Sequence, residues 1–219
     1  MYTNVWYVAA RTEELKDKPL YVKMLGSDFV LFRNNEGKPA CLSNACPHRG
    51  ASLANGSCSE NREIICPFHG WQFNGEGTCT RIPAVGDDDP QTDAPGVKID
   101  SYPTIEKHGL IWTFLGDEPD QAKPILDIPE LDDPEYTVVS DDVIFESNFH
   151  LAKFSNLDYV HLPIVHGIRF EDQENPYQPP PHTVERTDYG MTAFIETEST
   201  YSKGAWSNVR EEGTKVKSI

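Results

Sequence analysis

Two short segments carry donor side chains at a spacing that metals use: Cys46-Pro47-His48-Arg49-Gly50 and Cys66-Pro67-Phe68-His69-Gly70-Trp71. Each offers one thiolate and one imidazole, as Cys-x-His and then, seventeen residues on, Cys-x-x-His. Pro47 and Pro67 stiffen the segments, and Gly50 and Gly70 let the backbone turn sharply around a ligand. Zinc accepts two cysteines and two histidines tetrahedrally. The competing chemistry is a [2Fe–2S] cluster with two cysteines on one iron and two histidines on the other. Zinc fingers pair like ligands, whereas each segment here mixes them. Two irons held between two loops need the mixed arrangement, since each iron then takes one ligand from each loop. The spacing therefore points to the cluster, with zinc or four unrelated core residues as the alternatives.

A second group lies in Asn156-Leu157-Asp158-Tyr159-Val160-His161-Leu162-Pro163-Ile164-Val165-His166. Asp158 and His161 are three apart, which stacks them on one face of a helix. His161 and His166 are five apart, about 140° around an unbroken helix and too far for easy chelation. Pro163 breaks the helix between them and can swing His166 back. Two neutral imidazoles and a carboxylate are the donor set of non-haem Fe(II) sites that leave positions open for O2.

The elements that must position these groups are mostly β. Short apolar or alternating runs predict strands at Val5–Ala9, Leu20–Leu25, Phe29–Phe32, Ala40–Leu42, Ile64–Cys66, Trp71–Phe73, Val97–Ile99 and Leu110–Leu115. Asn34-Asn35-Glu36-Gly37 and Asn74-Gly75-Glu76-Gly77 predict turns, the first closing a hairpin. Residues 117–146 then carry eleven acidic side chains against Lys123 alone, punctuated by Pro119, Pro124, Pro129 and Pro134. Repulsion and proline favour an extended crossover there. Beyond it the pattern predicts a strand at Tyr136–Phe145, a helix at Asn148–His161, a loop over 167–182, and a hairpin of Thr183–Arg186 with Met191–Thr200. The division expected is a domain over 1–116, an acidic Pro-rich linker over 117–135, and a part-domain over 136–219.

A net charge of −16 over 219 residues argues against nucleic acid and against an anionic membrane as partners. No apolar run is long enough to span a bilayer, and the start lacks a signal peptide's basic and apolar regions. Five cysteines, an odd number, do not make a disulfide framework, so a cytoplasmic protein is expected. Cys41, Cys58 and Cys79 are left as small buried side chains.

The two Cys/His segments resemble the Rieske domain of the Rieske non-haem iron oxygenases. Asn4-Val5-Trp6-Tyr7-Val8-Ala9-Ala10 resembles the start of the vanillate O-demethylase and phthalate-dioxygenase branch. The resemblance covers 4–116 and continues more loosely to about 195. It implies a mostly β, α+β chain: an N-terminal Rieske-type antiparallel domain, then the first part of a helix-grip (START-like) catalytic domain. It implies a [2Fe–2S] cluster on Cys46, His48, Cys66 and His69, and a mononuclear Fe(II) on His161 and His166. Asp158 would orient His161 and bridge to the neighbouring subunit's cluster histidine, at the position of His69, in a homotrimer. Ser155 stands where the branch often carries asparagine, with Asn156 one later. The third iron ligand is an aspartate further downstream than residue 219, so the iron site is expected to be incomplete and the chain a shortened one; Glu171, Asp172, Glu174, Asp188, Glu196 and Glu198 are the carboxylates at hand.

The implied partners are an NAD(P)H-dependent reductase or ferredoxin, O2, and an aromatic small molecule to be hydroxylated or O-demethylated. The alternative is a Rieske ferredoxin-like electron carrier with no oxygenase activity of its own; a third reading is an inactive remnant whose second domain fails to pack. High-potential relatives bridge the two loops with a disulfide. Ala51 and Phe68 occupy those positions here, and Trp71 replaces a hydroxyl that could donate to a cluster sulfur. A reduction potential at the low end of the range, near about −150 mV, is expected.

Overall fold

The computed structural model describes residues 3–86, 96–131, 133–139, 141–170, 174–175, 177–178, 181–187, 190–197, 199–201 and 216–218. Two units divide the chain, Met1–Thr137 and Val138–Ile219. In the first, the strands are β1 (Val5–Arg11), β2 (Leu20–Met24), β3 (Ser27–Arg33), β4 (Pro39–Ser43), β5 (Ser57–Cys58), β6 (Ile64–Ile65), β7 (Gln72–Phe73), β8 (Cys79–Arg81), β9 (Ser101–Tyr102), β10 (Thr104–Lys107) and β11 (Leu110–Leu115). They form three antiparallel sheets, ordered β1-β11-β10, β2-β3-β4-β9 and β5-β6-β7-β8.

The middle sheet explains the unbroken apolar run Phe29–Phe32. A strand buries every residue only when both faces are covered. Val30, Phe32 and Leu42 point into a core with Leu53, Ile64 and Phe73. Phe29, Leu31 and Cys41 point the other way, against Leu15, Ile111 and Leu115. Each such side chain removed from water contributes about 1.5–3 kcal/mol. The sheet of β5–β8, which carries the second metal loop, therefore rests on a fully packed support.

Both predicted asparagine turns are present and built alike. The Asn34 side-chain oxygen accepts the N–H groups of Glu36 and Lys38, both at 3.0 Å. Asn74 accepts those of Glu76 and Thr78, at 3.2 and 2.9 Å. Gly77 sits at φ 80°, and a Cβ there would run into the Ile99 carbonyl, so only glycine fits. Segment Val97–Ile99 does not form the expected strand; Lys98 makes one isolated bridge with Thr78.

The acidic segment is not a free linker through its first half. Asn4 accepts the N–H groups of Asp117 and Glu118 at 2.9 and 3.2 Å, and the Trp6 indole donates to the Lys123 carbonyl at 3.0 Å. Lys107 pairs with Asp127 at 3.0 Å. Proline keeps the segment out of any ladder, so side chains of the first unit satisfy its backbone instead.

Arg33 grips Glu106 with two hydrogen bonds of 2.7 and 3.2 Å, joining β3 to β10. The hydrogen bond from Arg33 is the main cause holding the Glu106 carboxyl below its ordinary value of 4.5. A lowered carboxylate stabilises the fold fully above that value and loses the contribution as the pH falls through its folded pKa. Glu106→Gln is thus expected to cost about 1 kcal/mol at pH 7 and less at pH 3, below the ordinary carboxyl value, where the contribution has begun to be lost. Urea titrations at both pH values check this; an equal cost at the two would assign the effect elsewhere.

The second unit holds one described α-helix, α1 (Phe149–Leu157), capped by Asn148, whose side chain accepts the His150 N–H at 2.8 Å. Its strands are β12 (Ile168–Phe170), β13 (His182–Thr187), β14 (Gly190–Thr197), β15 (Ser199–Tyr201) and β16 (Val216–Ser218). They pair antiparallel as β12-β15 and β13-β14-β16. Strand β12 falls inside the predicted loop; its partner β15 is 29 residues away in sequence, which local pattern does not reveal. The turn residues Asp188 and Tyr189 lie outside the described residues.

Two further expectations are corrected. The strand at Tyr136–Phe145 is absent among its described residues: Val139 and Ile144 are 86% and 90% exposed, and no described strand pairs with the segment. Alternation creates a face but not a neighbour to bond the backbone. The helix ends at Leu157, not His161. Asp158 adopts an extended conformation and its side chain accepts the Val160 N–H at 2.9 Å, a local bond that competes with helix continuation. Among the described residues no helix is long and apolar enough to cross a membrane.

Candidate metal centre

The two Cys/His loops are copies of one backbone design. The Cys46 N–H donates to the Ala51 carbonyl at 2.9 Å, and Gly50 N–H donates back to the Cys46 carbonyl at 2.8 Å. In the second loop Cys66 donates to Trp71 at 2.8 Å, and Gly70 to Cys66 at 3.0 Å. Gly50 and Gly70 take φ of 71° and 72°, the left-handed region that reverses each loop. The first loop hangs from β4 and is clamped at its base by Asn44, buried, which accepts the Ala54 N–H at 2.9 Å and donates to the Ser52 hydroxyl at 2.9 Å. The second is held between β6 and β7.

This design sorts the donors by chemistry. Cys46 and Cys66 are buried in the core beneath the loops, at 2% and 3% exposure. His48 is half-buried and His69 exposed, with ring centres 4.5 Å apart. Sulfur lies inside and nitrogen outside. Burial, the larger cause, pushes the Cys46 thiol up to about 11; the backbone N–H of His48 opposes this, and the adjacent Cys66 thiol adds to it. A cation is needed to displace that proton. Burial, then the charges of His69 and Arg49, lowers His48, favouring the neutral ring that ligates metals.

His48 Nδ1 is buried and has no hydrogen-bond partner. An orphaned ring nitrogen beside a second imidazole, above two thiols within hydrogen-bonding reach of each other, fits a cluster of two irons. All five cysteines are free thiols, so no disulfide joins the loops.

Sequence reasoning missed one side chain and one contact here. The side chain is Asn44; a polar residue before a cysteine carries no signal of its own. The contact is that of Trp71, whose indole lies flat on His48, ring centres 4.6 Å apart and planes within 4°. Its position was legible, its contact with the opposite loop was not.

In the second unit His161 and His166 come together, with Asp158 beside His161, by another route than a helix face; the three do not converge into one metal-holding group. Leu162–His166 forms a π-helical turn closed by Gly167 in the left-handed conformation. The wider turn brings the His161 and His166 rings to 5.3 Å. Asp158 approaches His161 Nδ1 at 3.6 Å, beyond hydrogen-bond length. Of the candidate third carboxylates, Glu171, Asp172, Asp188 and Glu198 lie outside the described residues.

A mixed Cys/His pair of loops on three antiparallel sheets is the arrangement of a Rieske domain, and the family model described as Rieske [2Fe-2S] domain matches residues 5–103 of this chain. More particularly, its relatives are oxygenase subunits. Chlorophyllide a oxygenase of Arabidopsis thaliana is 35% identical over 170 residues, 76% of this chain and 30% of that protein. The oxygenase component of dicamba O-demethylase from Stenotrophomonas maltophilia is 36% identical over 165 residues, 74% of this chain and 47% of that one. The crystal structure of dicamba monooxygenase bound to 3,6-dichlorosalicylic acid superposes with a TM-score of 0.75 at 32% identity, covering 91% of this chain and 57% of that chain. This chain thus spans under two thirds of each of them, and its mostly antiparallel β fold with few helices is theirs.

Proposed function

We propose that the chain is a Rieske oxygenase component. It takes electrons from an NAD(P)H-dependent reductase or ferredoxin and passes them, by way of a [2Fe–2S] cluster, to a mononuclear non-haem Fe(II) for O2-dependent hydroxylation or O-demethylation of an aromatic small molecule. The observation that carries this reading is the pair of like-built loops with both thiols inside and both imidazoles outside. When bound, the cluster supplies one-electron storage and the iron supplies O2 activation.

Cys46 and Cys66 would hold one iron and His48 and His69 the other, and the buried Nδ1 of His48, which has no hydrogen-bond partner, is a nitrogen left open for ligation. His161 and His166 hold the mononuclear iron. Asp158 faces His161 Nδ1 at 3.6 Å, and on closing to hydrogen-bond length it would leave the other ring nitrogen for metal and set the tautomer. In a homotrimer the same carboxylate reaches towards the neighbouring chain's copy of His69. Residues 136–219 supply part of the catalytic domain, and a reducing cytoplasm keeps Cys41, Cys58 and Cys79 as thiols.

Anaerobic reconstitution tests the reading. Brown protein with about two irons and two acid-labile sulfides per chain is expected, with a potential near about −150 mV, because neither a disulfide nor a hydroxyl at position 71 raises it. Colourless protein, stoichiometric zinc or a strongly positive potential would contradict it. A second reading, an electron carrier without oxygenase activity, is favoured by α1, whose Phe149, Leu151 and Phe154 are all at least 60% exposed. A third iron per chain, bound at His161 and His166, decides for the oxygenase.

A further inference from the structure

The ring of a histidine turns about its Cβ–Cγ bond over a broad, roughly two-fold range, so a ligating imidazole needs something to set its plane. Hydrogen bonding does not set it at His48: Nδ1 has no partner in the protein. The flat contact on this ring comes from Trp71, at 4.6 Å and 4°. The two residues belong to opposite loops, and Trp71 is anchored twice. Its carbonyl accepts the Cys66 N–H at 2.8 Å, and its ring packs on the core that holds Cys46 and Cys66. The second loop is thus tied through one residue to the first loop's histidine, where no disulfide ties them.

We propose that Trp71 is a positioning residue for the cluster: its indole clamps the His48 ring and holds the two loops at ligating distance. The inference rests on the Rieske reading of the site. Stacking between flat rings is specific to geometry, so a flexible apolar side chain of similar bulk does not replace it. Trp71→Met removes the flat face and retains apolar contact; Trp71→Phe keeps a smaller flat face.

The test uses the reconstituted full chain and two readouts besides turnover: the g-values of the dithionite-reduced protein, and the rate at which a ferrous chelator strips the cluster. Trp71→Met is expected to lose the cluster about five- to tenfold faster than wild type, with broadened and shifted g-values. Trp71→Phe is expected to lose it about two- to threefold faster with unshifted g-values. Trp112→Phe, on β11 with its indole donating to the Lys107 carbonyl at 3.1 Å and away from both loops, serves as the control and leaves both readouts unchanged. Wild-type rates and spectra in Trp71→Met overturn the proposal; should that variant not fold, a wild-type rate in Trp71→Phe overturns it equally. Wild-type protein that binds no cluster sinks the Rieske reading instead, so the two failures are distinct.

Discussion

Cys66→Ser protein is expected to purify colourless, its iron content falling from about two per chain to near zero, because a serine hydroxyl does not replace a thiolate on an iron of the cluster. Cys66 lies at 3% exposure in the core shared by β3, β4, β6 and β7, so the substitution also places a hydroxyl where it has little water. Circular dichroism of the apoprotein separates loss of ligand from loss of fold. Cys58→Ser is the matched control. Cys58 is half-buried on β5, beside the strand β6 that leads into the second metal loop, and contributes no donor. It is expected to keep full colour. Colour lost in Cys58→Ser and kept in Cys66→Ser would mean that the ligands are wrongly assigned, whatever the family.

The contrast between those two cysteines shows what the sequence makes legible. Cys66 is recognisable because His69 and Gly70 follow at fixed offsets and Cys46, His48 and Gly50 repeat the pattern. Such local spacing survives folding, since each loop is a five-residue turn closed by its own backbone bonds. Trp71 shares the motif, yet its partner is His48 across the gap between loops, and no local pattern encodes that contact. Asn44 is legible only once the first loop is seen to need an anchor for Ala54 and Ser52.

The same distinction governs the fold. Strand β11 is predicted to its ends, because Leu110–Leu115 is bounded by turn residues and pairs on both sides. Tyr136–Phe145 has a comparable pattern and forms no strand among its described residues, because strand formation belongs to the pair and not to the segment. The helix boundary was misread for a third reason. Pro163 is the visible breaker, but Asp158 stops the helix five residues earlier by bonding to Val160. Pro163 then falls inside the π-helical turn that brings His161 to His166.

Asp158→Asn is the second substitution with a large expected effect, and it probes the other iron. The side chain does two things: one oxygen accepts the Val160 N–H at 2.9 Å and shapes the chain leading to His161, and the other faces His161 Nδ1 at 3.6 Å. Asparagine reproduces the first, since its amide oxygen accepts the same bond. It does not reproduce the second, because a neutral amide neither attracts an N–H as strongly nor stabilises a charged imidazole. The fold and the cluster are therefore expected to survive, with unchanged colour and g-values, while turnover driven by NAD(P)H and a competent reductase falls about 10- to 100-fold. Pre-reduced protein mixed with O2 and substrate locates the loss: slow cluster reoxidation places Asp158 on the electron path, whereas normal reoxidation with a lowered third-iron content places it in holding His161. Turnover equal to wild type, at full iron content, would remove Asp158 from the working site.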